Sequence, residues 1–244
     1  MHVLLTRPEP DSIRLKGLLE KRGYAALSAP LSAFVAIGLD ASELEGVTGL
    51  IATSRNALRA LVGSDALEAG RGLTVFAVGA ATAEEARRMG FARVVRGPGT
   101  ASDLGPLIAS LIDPAEEVLL HLAGERLAID LAGELEQLGI RVLTAVVYRM
   151  EMASALPVEA IGAIRTGAID AVMLMSPQAA AIWVRLVQRH DLVASVSGIA
   201  HLCLSDAVAR RLRPLGNVEV DVAEQPNLEE MLALVDLAAA KSSD

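Results

Sequence analysis

Small polar residues recur directly after apolar runs that are predicted to be β-strands. Ser54, Ser176 and Ser205 follow three such runs, and Gly79 and Thr82 follow a fourth. At the carboxyl ends of parallel strands, helix amino termini point free N–H groups outward, so hydroxyls and amides there suit carboxylates or phosphates. For any one of these residues taken alone, helix capping is the more common role. Their similar placement in both halves of the chain favours a shared anion-binding function.

Tyr148 is the main acid–base candidate. It is one of two tyrosines, it lies in an extended apolar segment, and Val147 and Arg149 flank it. A phenol held there could donate its proton to a leaving group, and a neighbouring cation would stabilise the resulting phenolate. The alternative is packing, because tyrosine is common where one end of a side chain is apolar and the other wet. Tyr24 and Trp183 are predicted to be packing residues.

Several kinds of catalytic and cofactor site are not predicted. The single cysteine, Cys203, excludes an internal disulfide and a thiolate cluster within one chain. The four histidines are scattered and form no metal-binding pair: His2, His121, His190 and His201. The Gly97-Pro98-Gly99 segment is too short for a nucleotide-binding loop, and no Gly-x-Ser-x-Gly nucleophile motif occurs. We therefore predict neither a metal site nor a nucleotide-binding loop.

Composition and charge narrow the class of protein. The chain of 244 residues is 52% hydrophobic, which excludes disorder. No apolar run reaches the roughly 18 residues of a membrane span, and no signal peptide is visible, so a cytoplasmic location is expected. The formal charge of −8 argues against a nucleic-acid-binding face. Three of the 22 basic residues are lysines, and this arginine bias fits either planar anion recognition or codon usage.

The elements that must position these residues alternate between strands and helices, the pattern of β–α units that form parallel sheets. Strands are predicted at 3–6, 49–53, 74–78, 92–96, 118–122, 171–175, 199–204 and 218–222. Helices are predicted at 11–22, 56–62, 82–89, 101–111, 127–138, 178–189, 207–212 and 228–239, where apolar residues recur at helical spacing. The fold class is therefore α/β.

The β–α units form an internal repeat, which predicts two similar domains. The unit around Ser54 matches the unit around Ser176, and the unit around Gly79 matches that around Ser205. Two connectors, 29–36 and 142–150, are extended and apolar, and each leads out of the first unit of its repeat. They could pair as a bridge that exchanges segments between domains. Periodicity alone does not distinguish this arrangement from a simple tandem of domains.

An ordered set of short motifs points to a known family. The motifs are Val3-Leu4-Leu5-Thr6-Arg7-Pro8, Pro30, Thr53-Ser54-Arg55-Asn56-Ala57, Val78-Gly79-Ala80-Ala81-Thr82-Ala83, the Gly139…Val142…Tyr148 run, and Met175-Ser176-Pro177. In this order, over nearly the whole chain, they resemble uroporphyrinogen-III synthases. Each motif is short, and the specificity lies in the set.

The resemblance implies two α/β domains, each with a parallel sheet flanked by helices, joined by an antiparallel two-strand β-ladder, with the active site in the interdomain cleft. One domain would comprise 1–32 plus 152–244 and the other 37–147, with linker strands at 33–36 and 148–151. The chain would be a monomer.

The resemblance also implies a reaction. The family cyclises hydroxymethylbilane, a linear tetrapyrrole, to uroporphyrinogen III, inverting the terminal pyrrole ring through a spiro intermediate without a cofactor. The chain would then be a lyase of heme biosynthesis. Tyr148 would donate a proton to the departing hydroxyl. Substrate contacts carry over to Arg7, Ser54, Gly79, Ala80, Thr82 and Ser176. In the second half, Ser205 replaces the glycine and Val208 the threonine, so a backbone contribution is expected from that loop.

Two other classes fit parts of the pattern. A cytoplasmic two-domain module that binds or senses a small acid without chemistry would show the same repeat and cleft. A flavodoxin-like electron carrier would need aromatic residues to stack on its flavin, and the chain has only three Phe, two Tyr and one Trp. An isomer assay would distinguish the first class from a synthase, and the colour of the purified protein would reveal the second.

Overall fold

A computed structural model describes residues 1–126 and 129–241. The chain divides into two compact units, which we call unit 1 (Met1–Ala33 and Glu151–Asp244) and unit 2 (Phe34–Met150). The chain therefore leaves unit 1 after its first 33 residues and returns to it at Glu151. Among the described residues, no helix combines the length and apolar character needed to cross a membrane.

Strands and helices alternate along most of the chain. The strands are β1 His2–Leu5, β2 Ala25–Ser28, β3 Ser32–Ala36, β4 Gly49–Ala52, β5 Thr74–Ala77, β6 Arg93–Arg96, β7 Val118–Gly124, β8 Arg141–Met152, β9 Ala171–Leu174, β10 Ala200–Cys203 and β11 Val220–Val222. The helices are α1 Asp11–Glu20, α2 Arg55–Arg59, α3 Asp65–Gly70, α4 Ala80–Arg88, α5 Ala101–Leu111, α6 Leu131–Gln137, α7 Val158–Arg165, α8 Pro177–Arg189, α9 Val193–Val196, α10 Asp206–Ala209 and α11 Leu228–Lys241. Two 3₁₀ helices span Ala41–Leu44 and Arg210–Leu215.

Each unit contains one parallel sheet with the same strand order. The sheet of unit 1 runs β2-β1-β9-β10-β11. The parallel part of the other sheet runs β8-β7-β4-β5-β6. In this shared order, β4 occupies the position of β9, and β5 occupies the position of β10. This confirms the repeat predicted from the motifs around Ser54 and Ser176. The α/β prediction is confirmed as well.

β3 lies beside β8 at the edge of the six-stranded sheet. The Ile37 N–H donates to the Val147 carbonyl, and the Ala153 N–H donates to the Leu31 carbonyl. Residue numbers on the two segments run in opposite directions, so the pair is antiparallel. The two connectors singled out in the sequence do pair, as predicted.

Apolar residues fill both faces of each sheet, as a parallel sheet covered by helices requires. All four residues of β4, β9 and β10 are buried. In unit 1, Trp183 of α8 is fully buried on one face, whereas Leu19 of α1 and Val235 of α11 pack on the other. Trp183 is thus a core residue, as predicted.

The structure also contains elements that the periodicity did not predict. The sequence Ala25-Ala-Leu-Ser28 has weak strand propensity, yet it forms β2 by pairing with β1. Helices α3, α7 and α9 were not predicted. The helix predicted at 207–212 is α10 only to Ala209 and then tightens to a 3₁₀ helix that contains Pro214. The helix predicted at 127–138 begins at Leu131, and residues 127 and 128 lie outside the described residues.

Candidate functional site

The carboxyl edge of the sheet in unit 2 brings Ser54 and Tyr148 together. Ser54 follows β4 directly and is the N-cap of α2, where its Oγ accepts a hydrogen bond from the Ala57 N–H. Tyr148 lies on β8, and its hydroxyl is 3.1 Å from the Ser54 Oγ. Two hydroxyls therefore share one hydrogen bond, and each retains capacity to bind a further polar group.

The Tyr148 side chain is held by neighbours that the sequence analysis did not identify. Its ring packs against Phe34 with centroids 5.7 Å apart. The backbone of Gly124, at the end of β7, lies against the end of the ring that carries the hydroxyl. The Glu125 N–H donates to the Tyr148 carbonyl over 2.9 Å. The signal available in the sequence was a glycine two residues after the strand predicted at 118–122, since glycine near a strand end can mark close backbone approach.

Gly79, Ala80 and Thr82 lie at the start of α4, directly after β5. Gly79 is the N-cap, and a Cβ atom there would lie 3.2 Å from the Gly99 Cα. The Gly97-Pro98-Gly99 segment thus packs its backbone against the predicted site instead of forming a nucleotide loop. Ala80 is exposed, whereas Thr82 is only 5% exposed. The backbone of this turn is accessible, and the Thr82 hydroxyl is largely covered.

In unit 1, Arg7 and Ser176 follow the adjacent strands β1 and β9. The Arg7 guanidinium pairs with the Asp11 carboxylate and contacts the Met175 sulfur at 3.7 Å, with a third of its side chain exposed. The Ser176 Oγ caps α8 by accepting from the Ala179 N–H at 3.0 Å. The exposed part of Arg7 can receive an anion beside this helix terminus.

Ser205 occupies the corresponding position after β10. It is the N-cap residue of α10, but its side chain makes no capping hydrogen bond. Val208 is buried and offers no hydroxyl in place of Thr82.

These positions coincide with the places where ligands bind in doubly wound sheets. Ligands bind beyond the carboxyl ends of the strands, where the strand order reverses. The reversal lies between β1 and β9 in unit 1 and between β7 and β4 in unit 2. Arg7 and Ser176 flank the first junction, and Ser54 and Gly124 flank the second.

His121 is a buried polar residue near the Ser54 turn that the sequence analysis did not select. Its Nε2 lies 3.4 Å from the Thr53 Oγ1. Burial lowers the pKa of His121, and the Asp130 carboxylate opposes this only in part. The imidazole is therefore neutral near pH 7 and contacts the turn through the Thr53 hydroxyl.

The buried Cys203 thiol and a cavity in unit 2 do not belong to the turns that carry Ser54, Gly79 and Ser176. Among residues 1–126 and 129–241, no cluster of three or more His, Cys, Asp or Glu could hold a metal ion. Burial raises the pKa of the Cys203 thiol to about 12, so this thiol stays protonated. A cavity of about 610 Å³ opens at the amino edge of the sheet of unit 2, between Thr48, Thr74, Arg93 and Leu111. That edge is opposite the one that carries Ser54 and Gly79.

Comparison with known proteins decides the family. The model of the HEM4 family, described as uroporphyrinogen-III synthase HemD, matches residues 13–233. The chain belongs to the uroporphyrinogen-III synthase family. This confirms the resemblance seen in the motifs and places the chain among enzymes of porphyrin and heme biosynthesis that act on a small tetrapyrrole.

Two solved structures of uroporphyrinogen-III synthases share the fold of this chain. A uroporphyrinogen-III synthetase from Helicobacter pylori aligns with a TM-score of 0.65 at 18% identity, over 97% of this chain and 98% of that one. A mutant uroporphyrinogen III synthase from Thermus thermophilus aligns with a TM-score of 0.53 at 22% identity, over 99% of both chains. No curated protein matches the chain.

Proposed function

We propose that this chain converts hydroxymethylbilane to uroporphyrinogen III, as a cofactor-independent lyase. The observation that carries the proposal is the Tyr148 hydroxyl, held 3.1 Å from the Ser54 hydroxyl at the carboxyl edge of its sheet. A general acid must be fixed within hydrogen-bond reach of the group that it protonates. The hydrogen bond to Ser54 and the ring contact with Phe34 hold the Tyr148 hydroxyl in place.

In the proposed reaction, the first bond to break joins the terminal carbon to its hydroxyl. The pyrrole nitrogen supplies the electron pair, the Tyr148 phenol supplies a proton, and water leaves to give a protonated azafulvene (an azafulvenium cation). The substituted carbon of the far ring attacks it and forms a spiro intermediate. Fragmentation and re-closure invert that ring, and a ring proton is lost at the end, returning the proton that the phenol gave. The net change is the loss of one water.

The enzyme's main task is to position a flexible substrate, because unguided closure gives the ring without inversion. We propose that the substrate carboxylates contact Arg7 and Ser176 in unit 1, and Ser54 and the N–H groups at Gly79 and Ala80 in unit 2. Ser205 would contribute through its backbone. Thr82, being buried, would act by fixing the start of α4. Local arginines and helix termini must provide the attraction, since the formal charge of −8 repels a polycarboxylate.

Residues 1–32 plus 152–244 and residues 37–147 would act as two domains, with linker strands at 33–36 and 148–151. The protein would act as a monomer in the cytoplasm.

The decisive experiment adds the purified protein to freshly generated hydroxymethylbilane and separates the type I and type III uroporphyrin isomers after oxidation. We expect type III to dominate with the wild-type chain. Tyr148→Phe should lower kcat on the order of 10²-fold or more, because general acid catalysis contributes about 10²–10⁴-fold. The matched control is Tyr24→Phe, which removes the other phenol, one that donates to Asp236 far from the site.

Unchanged turnover of Tyr148→Phe at saturating substrate would rule out the proton-donor role. Only type I product from the folded wild-type chain would overturn the synthase proposal. In that case, retained binding of the bilane would favour a binding or sensor module over an enzyme.

A further inference from the structure

A β-bulge lies directly before Tyr148. Along β7 and β8, Ala123 is opposite Val146, but the next residue, Gly124, is opposite Tyr148, so Val147 is an extra residue in β8. Successive side chains of a regular strand point to opposite faces. Here Val147 and Tyr148 both pack against the same core cluster. Without the bulge, the Tyr148 side chain would point to the face opposite that of Val147. The bulge brings it onto the same face as Val147, and bulges are known to redirect side chains in this way.

Gly124 gives the turned ring its space. A Cβ atom built on Gly124 would lie 2.7 Å from the Tyr148 Cζ, 2.9 Å from its hydroxyl oxygen and 3.1 Å from Cε1. The first two distances are shorter than Cβ contacts in real structures, so a side chain at 124 would displace the end of the ring that carries the hydroxyl.

Phe34 limits the ring from another direction. Its ring is tilted by 33° to that of Tyr148, with centroids 5.7 Å apart, and it packs on the same core cluster. The backbone before the tyrosine is also fixed, because the Ile37 and Gly38 N–H groups both donate to the Val147 carbonyl. Displacement of the ring by a group at 124 would therefore move the hydroxyl away from Ser54.

We propose that Gly124 and Phe34 are positioning residues for Tyr148: with the bulge at Val147 they form a slot that fixes the phenol hydroxyl beside Ser54. Neither residue supplies a reacting group. The kinetic consequence rests on the proposed function, whereas the position of the ring does not.

The kinetic test is Gly124→Ala. We expect kcat for type III formation to fall about 10- to 100-fold, because a misplacement of about 1 Å can cost about 10²-fold. KM should change much less, since the glycine offers no side chain to the substrate. The double variant Gly124→Ala/Tyr148→Phe should be no slower than Tyr148→Phe alone, because both changes remove the same phenol contribution. Independent, multiplying losses would contradict the inference.

Gly49→Ala is the matched control. It adds the same methyl group to the same sheet, where its Cβ would lie 2.9 Å from the Leu119 Cδ2, at the far end of β4. We expect this variant to lose stability and to keep the wild-type kcat per folded molecule. An equal fall in kcat for both variants would mean that general overpacking, and not the slot, explains the effect.

A substrate-free measurement separates the inference from the proposed function. The chain has two tyrosines, so ¹³Cζ-tyrosine labelling gives two NMR signals, which Tyr24→Phe and Tyr148→Phe assign. Gly124→Ala should shift the Tyr148 signal and leave that of Tyr24 in place. An unmoved Tyr148 signal overturns the inference. A shifted signal in a protein that makes no type III product would retain the slot and reject the proposed function. If Gly124→Ala does not fold, Phe34→Leu replaces it, and an unchanged signal and kcat there overturn the inference.

Discussion

At the scale of single residues, the three serines of the candidate site differ in what they already do for the fold. The Ser54 and Ser176 hydroxyls each accept a hydrogen bond from a helix N–H, whereas the Ser205 hydroxyl makes no capping bond. A serine that caps a helix contributes to stability whether or not it binds substrate. Ser205 is therefore the position at which a change in binding can be separated from a change in folding.

This difference predicts two outcomes for the same substitution. Ser176→Ala should lower the free energy of unfolding by about 1 kcal/mol through loss of the cap. Ser205→Ala should leave it within about 0.5 kcal/mol of wild type. If the backbone of the Ser205 turn, and not its hydroxyl, contacts substrate, Ser205→Ala should also leave KM unchanged. Urea unfolding and initial rates measure both, and a raised KM for Ser205→Ala would assign the contact to the hydroxyl.

At the scale of elements, a carboxylate connects two helices that start at the candidate site. Glu85 of α4 is largely buried and receives hydrogen bonds from Arg88 at 2.6 Å and from Arg59 of α2 at 3.4 Å. Burial alone would raise the pKa of Glu85, but the two guanidinium groups more than offset it and hold the pKa below its ordinary value near 4.5. Ser54 begins α2 and Gly79 begins α4, so this link couples the two turns.

We predict that Glu85→Gln lowers the stability of unit 2 by about 1–2 kcal/mol at pH 7, because hydrogen bonds to a charged group are lost. A group whose pKa is lowered on folding stabilises the fold above its unfolded pKa and loses that effect as pH falls. The gap between variant and wild type should therefore narrow below about pH 4.5. The neighbouring exposed residue supplies the control, since Glu84→Gln should change little. A gap independent of pH would contradict the charge-based explanation.

The elements also show what could be predicted from sequence. The strands that precede Ser54 and Ser176 were predicted because a buried parallel strand is a short apolar run, which is a local signal. The slot around Tyr148 was not, because it depends on the register between β7 and β8. The bulge at Val147 does not change the hydrophobic periodicity of the sequence. The role of Gly124 becomes visible only when the pairing places Tyr148 opposite it.

At the scale of the whole molecule, both units are built around the same strand order and each buries a histidine in its sheet. His121 lies on β7 of unit 2, and His201 lies on β10 of unit 1. Burial lowers the pKa of each below 6.5, against weaker opposing effects from Asp130 on His121 and from backbone hydrogen bonds on His201. The His201 ring packs beside Trp183, with centroids 6.1 Å apart. Protonation of either ring would place a charge in an apolar core.

This arrangement predicts how stability responds to acid. Well above pH 6.5 both histidines are neutral in the folded and unfolded chain, and their contribution is complete. As pH falls, the unfolded chain binds protons that the folded chain resists, so the free energy of unfolding falls by at most about 1.4 kcal/mol per pH unit for each histidine. Urea midpoints measured from pH 7.5 to 5 should show this decline. His121→Gln and His201→Gln should each flatten it. If His121→Gln and His201→Gln both keep the wild-type dependence of the urea midpoint on pH, these two imidazoles do not cause the loss of stability in acid.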